Sequence, residues 1–279
     1  HESSADPARE KATIQRPHIF LSLVDDVGHN DMGASSTDLS GFTPYMPALA
    51  KDGVVLSNYY GQSMCTPARV ALHSGKFVHR TGFSTPGYGA GYEISSFSHY
   101  SIPPRNQLLG TRMTELGYHS LYGGKWNIGH CHEAYLPFNR GYSSFIGYYT
   151  TGPNYYTFDT TDWYVNETTG NYSLVKDFWV YDNSTGENYA VHQHDDFYTD
   201  THIADTLTKW VYEHANEGVY PEAGSNSTPL FLHTAFQGPH GDKGLNFSLA
   251  KQMAIMATGD KKKVEAKLLR LEKLRAPGS

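Results

Sequence analysis

The chain has 279 residues, 39% of them hydrophobic, and a net charge of −6. That length suits one large α/β domain or two small ones, with ample material for a core, and the negative balance argues against a nucleic-acid partner. No apolar run is long enough to cross a bilayer, and two cysteines do not make a disulfide framework.

Residues 1–16 are polar and read as a disordered lead-in. His18 to Val24 is a short apolar run, predicted as a buried strand that stops abruptly at Asp25-Asp26. Thr43 to Gly53 has a helix start and a glycine stop, and 105–116 is a second predicted helix, closed by Gly117. Between them Cys65-Thr-Pro-Ala-Arg69 opens a helix-like stretch, with Pro67 suited to a first turn. Tyr118 to Tyr122 is predicted as a strand leading into Gly123-Gly124-Lys125-Trp126. The Tyr-, Asn- and Thr-rich region 150–196 reads as an irregular insertion or hairpins. A helix is expected over 197–214 with Ile203, Leu207, Trp210 and Val211 on one face. Pro229 to Ala235 is a third apolar strand, ending in Gln237-Gly238-Pro239-His240. The tail 250–275 is amphipathic, with Met253, Met256, Val264, Leu268, Leu271 and Leu274 at mostly helical spacing.

Strands alternating with helices imply a largely parallel sheet flanked by helices. In such sheets ligands sit beyond the carboxyl ends of the strands. Asp25-Asp26, Lys125 and His240 all fall at such ends, so the pattern gathers them in one crevice, with Cys65 as a fifth candidate. Adjacent carboxylates repel unless a cation lies between them, and a hard divalent ion suits oxygen ligands. A thiol at a helix N-terminus faces unpaired N–H groups and the positive end of the dipole, and Arg69 one turn on points at the same spot. That combination offers a nucleophile beside an anion-binding end. The competing structural readings are a buried cysteine, an Asp pair in a turn and a surface lysine.

Cys65-x-Pro67-x-Arg69 resembles the signature of type I sulfatases, in which this cysteine is oxidised to formylglycine. The extension departs, with Ala68, His73, Ser74 and Lys76 where the family usually has Ser, Leu, Thr and Arg. Leu23 to Gly33 resembles the family's opening motif, whose two aspartates bind calcium. Gly124-Lys125-Trp126 resembles a second motif whose lysine contacts sulfate, although Asn127 stands where the family has a histidine. Asn donates a hydrogen bond but does not transfer a proton at neutral pH. His130 is shifted by three residues and does not inherit the role. Tyr135 to Tyr149 is similar to the arylsulfatase B-like branch and reads as scaffold and pocket wall. His240 matches the histidine near the leaving group.

The resemblance implies an alkaline-phosphatase-like fold over residues 17–274, an N-terminal catalytic-domain portion truncated before the last metal-ligand strand. It implies sulfate-ester hydrolysis of the arylsulfatase type, with sulfated sugars or glycosaminoglycans as the substrates. Cys65, Arg69, Lys125 and His240 would be catalytic, and Asp25, Asp26 and residue 65 would hold Ca²⁺, with Mg²⁺ the lesser candidate. Maturation would require a formylglycine-generating enzyme. The family's later Asp-Asn-Gly strand and a further lysine have no counterpart after His240, so weak or absent hydrolysis is expected, together with an exposed sheet edge. Sequons at Asn166, Asn171, Asn183, Asn226 and Asn246 point to the secretory pathway and an extracellular or lysosomal protein. A start at His1 rather than Met fits removal of a leader. Two alternatives stand beside this reading. One is a phosphatase or phosphodiesterase with Thr66 as nucleophile. The other is a non-catalytic secreted glycoprotein that retains the fold, which a Cys65–Cys131 disulfide would favour.

Overall fold

The computed structural model describes residues 16–31, 33, 35–39, 41, 43–84, 93–165, 172–191, 198–215 and 228–241, with the side chains of 161–165 and 172–174 excepted. The lead-in up to residue 15, the tail 250–275 and the sequons at Asn166, Asn171, Asn226 and Asn246 lie outside them. Asn183 is exposed in the turn that follows Asp182.

The main sheet comprises β1 (Ile19–Val24), β2 (His119–Lys125), β3 (Ser144–Tyr148), β6 (Trp179–Asp182), β7 (Glu187–Ala190) and β8 (Leu230–Phe236), in the order β1-β8-β2-β3-β6-β7. The four strands β1, β8, β2 and β3 are parallel, while β6 and β7 add an antiparallel hairpin. A separate hairpin pairs β4 (Asp159–Val165) with β5 (Tyr172–Lys176). Thus the described part of 150–196 contains two hairpins, and the second of them extends the central sheet.

Alternation along the parallel strands explains why both faces are covered. Tyr122, Phe145 and Phe231 enter one core with Val70 of α2 (Cys65–Ser74) and Met113 of α3 (Leu109–Glu115). Their neighbours Leu121, Ile146, Leu230 and Leu232 enter the other, beneath Ile203 and Leu207 of α4 (Thr199–His214). This double burial is what a parallel sheet requires. The expected α4 face is therefore confirmed, with Trp210 and Val211 packed at its margin.

Three boundaries differ from expectation. The second predicted helix begins at Leu109, because Pro103-Pro104 holds the preceding segment in a turn. Strand β2 runs on through Gly123-Gly124 to Lys125. Gly124 sits at φ 112, and a Cβ there would overlap the Ala235 carbonyl, so only glycine lets the strands approach this closely. Strand β3 lies inside the segment read as pocket wall.

The sequence reading expects an exposed sheet edge. Among the described residues β1 pairs only with β8, and Phe20 is 62% exposed. Helix α1 (Tyr45–Lys51) buries none of its residues. It continues into the exposed apolar run Val54-Val55-Leu56.

Candidate active site

Four elements deliver charged side chains to one end of the sheet. Strand β1 ends at Asp25, β2 ends at Lys125, the turn after β8 carries His240, and α2 starts with Cys65. Helix α2 runs from an extended Met64 to Gly75 at φ 63, whose N–H donates to the Ala71 carbonyl. This left-handed glycine stop fixes the helix so that its first turn faces the strand ends.

Asp25 is the hub. Its Oδ2 accepts from Lys125 Nζ at 2.7 Å, its Oδ1 lies 3.2 Å from Arg69 Nη2, and the Cys65 thiol donates to Oδ1 at 3.4 Å. Arg69 and Lys125 have side chains only 2% and 0% exposed. Burial pushes the Asp25 carboxyl up, but Arg69 and Lys125 outweigh it and hold the group below the usual carboxylate range. Two buried cations thus share one buried carboxylate, which leaves positive charge over in a site of low dielectric. Arg69 is further pinned by donating from Nη1 to the Lys125 carbonyl at 3.0 Å, which also accepts from the Tyr122 hydroxyl at 2.6 Å.

Asp26 faces His240. It adopts φ 54, and its Oδ2 is 3.6 Å from His240 Nε2. Asn127, just beyond Lys125, adopts φ 51. Asp and Asn are the non-glycine residues that tolerate this region best, and such backbone at two converging strand ends is characteristic of functional sites. Asn127 is fully buried, and its Oδ1 accepts from the Thr66 hydroxyl at 2.7 Å. His130 instead places Nε2 2.9 Å from the Ser96 carbonyl.

The alternative disulfide does not form, as both cysteines are free. Cys131 is exposed, and its thiol donates to the His99 carbonyl at 3.1 Å. Burial pushes the Cys65 thiol up, and Asp25 adds to this, while Lys125 opposes it. Cys65 as a plain thiol is therefore protonated at neutral pH and a poor nucleophile.

Several residues of this region carried no sequence signal. Glu93 is half-buried and interacts electrostatically with Lys125, Asp25, His240 and Arg69; burial pushes its carboxyl up. Asp200, in the first turn of α4, accepts from the Gln237 and Gly238 N–H groups at 3.1 and 2.8 Å and so fixes the turn that carries His240. The Tyr155 hydroxyl secures the same turn by donating to the His240 carbonyl at 2.9 Å. Acidic residues in a first helical turn are a recognised pattern. Nothing in the sequence, however, connects Asp200 to a strand end 38 residues later.

Donors and ligands are both available here. Asp25, Cys65 and His240 each bring one ligand atom within 4.8 Å of the others. A hard cation takes six to eight oxygens, so these described residues supply part of a shell, and better once residue 65 offers oxygen in place of sulfur. Arg69 Nε and the Tyr148 hydroxyl are buried without a hydrogen-bond partner among the described residues. Tyr148 also lies in the field of Arg69 and Asp25. Unspent donors around surplus positive charge suit an anion.

The family described as Sulfatase matches residues 17–257. The chain belongs to the sulfatase family. It is 32% identical over 151 residues to arylsulfatase J of Mus musculus, covering 54% of this chain and 24% of that protein. It is 26% identical over 236 residues to an arylsulfatase of Klebsiella aerogenes, covering 82% and 44%. The match to N-acetylgalactosamine-6-sulfatase of Homo sapiens is 33% over 135 residues, covering 48% and 26%. The chain therefore spans less than half the length of these relatives. A sulfatase crystal structure from Pseudoalteromonas sp. superposes with a TM-score of 0.62 at 21% identity, over 93% of this chain and 52% of that one. Ps i-CgsB in complex with k-i-k-neocarrahexaose gives 0.61 at 19%, over 93% and 56%. The fold is accordingly the alkaline-phosphatase-like fold of sulfatases, with its mostly parallel sheet between helices.

Proposed function

We propose that the chain is the N-terminal catalytic portion of a sulfuric ester hydrolase, of arylsulfatase B-like type, acting on sulfated sugars or glycosaminoglycans. One observation carries this reading: buried Arg69 and Lys125 converge on Asp25 beside residue 65. Their surplus charge suits a sulfate group and the further negative charge that develops on it during transfer. Residue 65, as formylglycine, supplies the nucleophilic oxygen, which a half-buried protonated thiol does not. Asp25, Asp26 and residue 65 would hold Ca²⁺; when bound, the ion polarises the sulfate oxygens. His240, held by Asp200 and Tyr155 through its turn, stands ready to pass a proton to the departing alcohol. The exposed sequon at Asn183 supports a glycoprotein of the secretory pathway, extracellular or lysosomal, that meets a formylglycine-generating enzyme on its way.

The test is sulfate release from a small aryl sulfate by the full chain with Ca²⁺. Turnover is expected to be low, because the described residues give only part of a metal shell. It should be abolished in Cys65→Ala and lowered about 100-fold or more in Lys125→Ala, the effect of losing one preorganised charge-stabilising donor. Equal turnover in Cys65→Ala would contradict the proposal. A second reading has one observation in its favour. Asn127 occupies the place of the family histidine, is committed to Thr66 and cannot move a proton, as expected of a fold-retaining glycoprotein that binds sulfate esters without cleaving them.

A further inference from the structure

A second cationic site lies at the opposite end of α2. Lys76, Arg80 and Arg105 line a concave cavity of about 480 Å³ together with Tyr100, Ser101 and Asn106. Among the described residues no carboxylate lines it, although the chain as a whole carries a charge of −6. Among the described residues neither Arg80 nor Arg105 makes an ion pair. Lys76 donates from Nζ to Asn106 Oδ1 at 2.7 Å, so its charge is met by a neutral amide. All three cations are exposed, and Arg105 also borders a neighbouring cavity that Glu115 and Glu133 line, but inside this cavity the like charges repel one another unless an anion joins them.

The cavity is also held in shape from behind. Asn106 is 7% exposed, and its carbonyl accepts from buried Arg140 Nη2 at 2.7 Å. The Tyr100 hydroxyl donates to the Gly82 carbonyl at 2.9 Å, tying the two walls together. The ten residues of α2 separate this cavity from Cys65 by about 15 Å at the rise of an α-helix. A small monosulfate at residue 65 does not span that distance, whereas a chain of sugars does.

We propose that this cavity is an accessory anion subsite, taking a second sulfate or carboxylate of a polyanionic carbohydrate whose scissile sulfate lies at residue 65. The inference deepens the function proposed above and rests on it for the class of ligand. Arginines present planar donor forks that match such oxyanions, and Lys76 adds a point charge. Engagement at two places on one chain raises affinity for the polymer without a new contact at the reacting sulfur.

The experiment measures calorimetric binding of a sulfated galactan oligosaccharide to the full chain at low ionic strength. The Arg80→Glu/Arg105→Glu and Lys125→Ala variants run in parallel, and unfolding midpoints check the fold. The double variant is expected to bind the oligosaccharide about tenfold more weakly or worse. Its loss of affinity on adding salt should be shallower than that of the parent chain. Its turnover of a small aryl sulfate should match the parent. Unchanged oligosaccharide affinity in the double variant overturns the subsite, and if Lys125→Ala alone loses affinity, all recognition is at residue 65. A chain that cleaves no ester in any form, yet binds the oligosaccharide through these arginines, retains the subsite and contradicts the hydrolase reading.

Discussion

Asp25→Ala should cost about 3–5 kcal/mol of folding stability, the range for removing one partner of a buried ion pair. The argument is geometric. Arg69 and Lys125 are almost wholly buried, and both direct their charge at this carboxylate. Without Asp25 the two buried cations lose their only direct ion-pair partner among the described residues, with half-buried Glu93 left as a carboxylate in their field, and Cys65 loses its acceptor. Denaturant unfolding reads the loss directly. Added sulfate should restore part of it, because an anion that binds only the folded state stabilises by mass action. Asp25→Asn, which keeps the shape and removes the charge, should behave alike. A loss below about 1 kcal/mol, the usual value of an exposed pair, would show that solvent reaches these cations and that the site is no anion trap.

The second large effect concerns pH. His233 is fully buried, and its Nδ1 lies 3.0 Å from the Tyr142 hydroxyl. Burial, reinforced by Arg69, pushes this imidazole down to about 3. His73 stacks beside it with ring centroids 4.9 Å apart. It is pushed down as well, by burial first and then by His233, Arg69 and Arg140. Both are neutral in the fold and protonated in the unfolded chain below the usual histidine value of about 6.5. The unfolded state therefore binds more protons, so this contribution is fully present above pH 6.5 and is lost as pH falls toward about 3. Between pH 7 and 5 His233 removes about 2 kcal/mol, and His73 acts in the same direction. His233→Gln keeps a partner for Tyr142 and removes one titration, so its stability should fall less steeply over that interval. An identical slope in parent and variant would contradict the assignment.

The parts of this site that were legible in the sequence share one property: each depends on a strand end or a helix start. Asp25, Lys125 and His240 follow short apolar runs, and the rule that ligands gather beyond the carboxyl ends of parallel strands brings them together without any tertiary knowledge. Arg69 follows Cys65 by one helical turn, which already fixes their common direction. Glu93, Asp200 and Tyr148 were not legible for the opposite reason. Glu93 sits in an aperiodic polar stretch, Asp200 acts on a turn at the far end of another element, and Tyr148 is one aromatic among many. Strand β3 was hidden because Ser144-Phe-Ile-Gly-Tyr148 is buried on both faces and shows no alternation. The β6–β7 hairpin was legible only as one of two readings of its segment, because its Tyr, Asn and Thr content serves a sheet margin and a loop equally well. Asn127 was legible as a departure, but its bond to Thr66, which fixes the amide, appears only in the structure.

The central claim is that residue 65 works as formylglycine between Asp25 and Arg69. Mass spectrometry of the peptide bearing Cys65, from the chain made in a secretory host, tests it most directly. The account predicts the aldehyde, or its hydrate, in place of the thiol, with Cys131 still free. A peptide that carries only the unmodified thiol would contradict it and leave the fold-retaining, sulfate-binding glycoprotein as the better description.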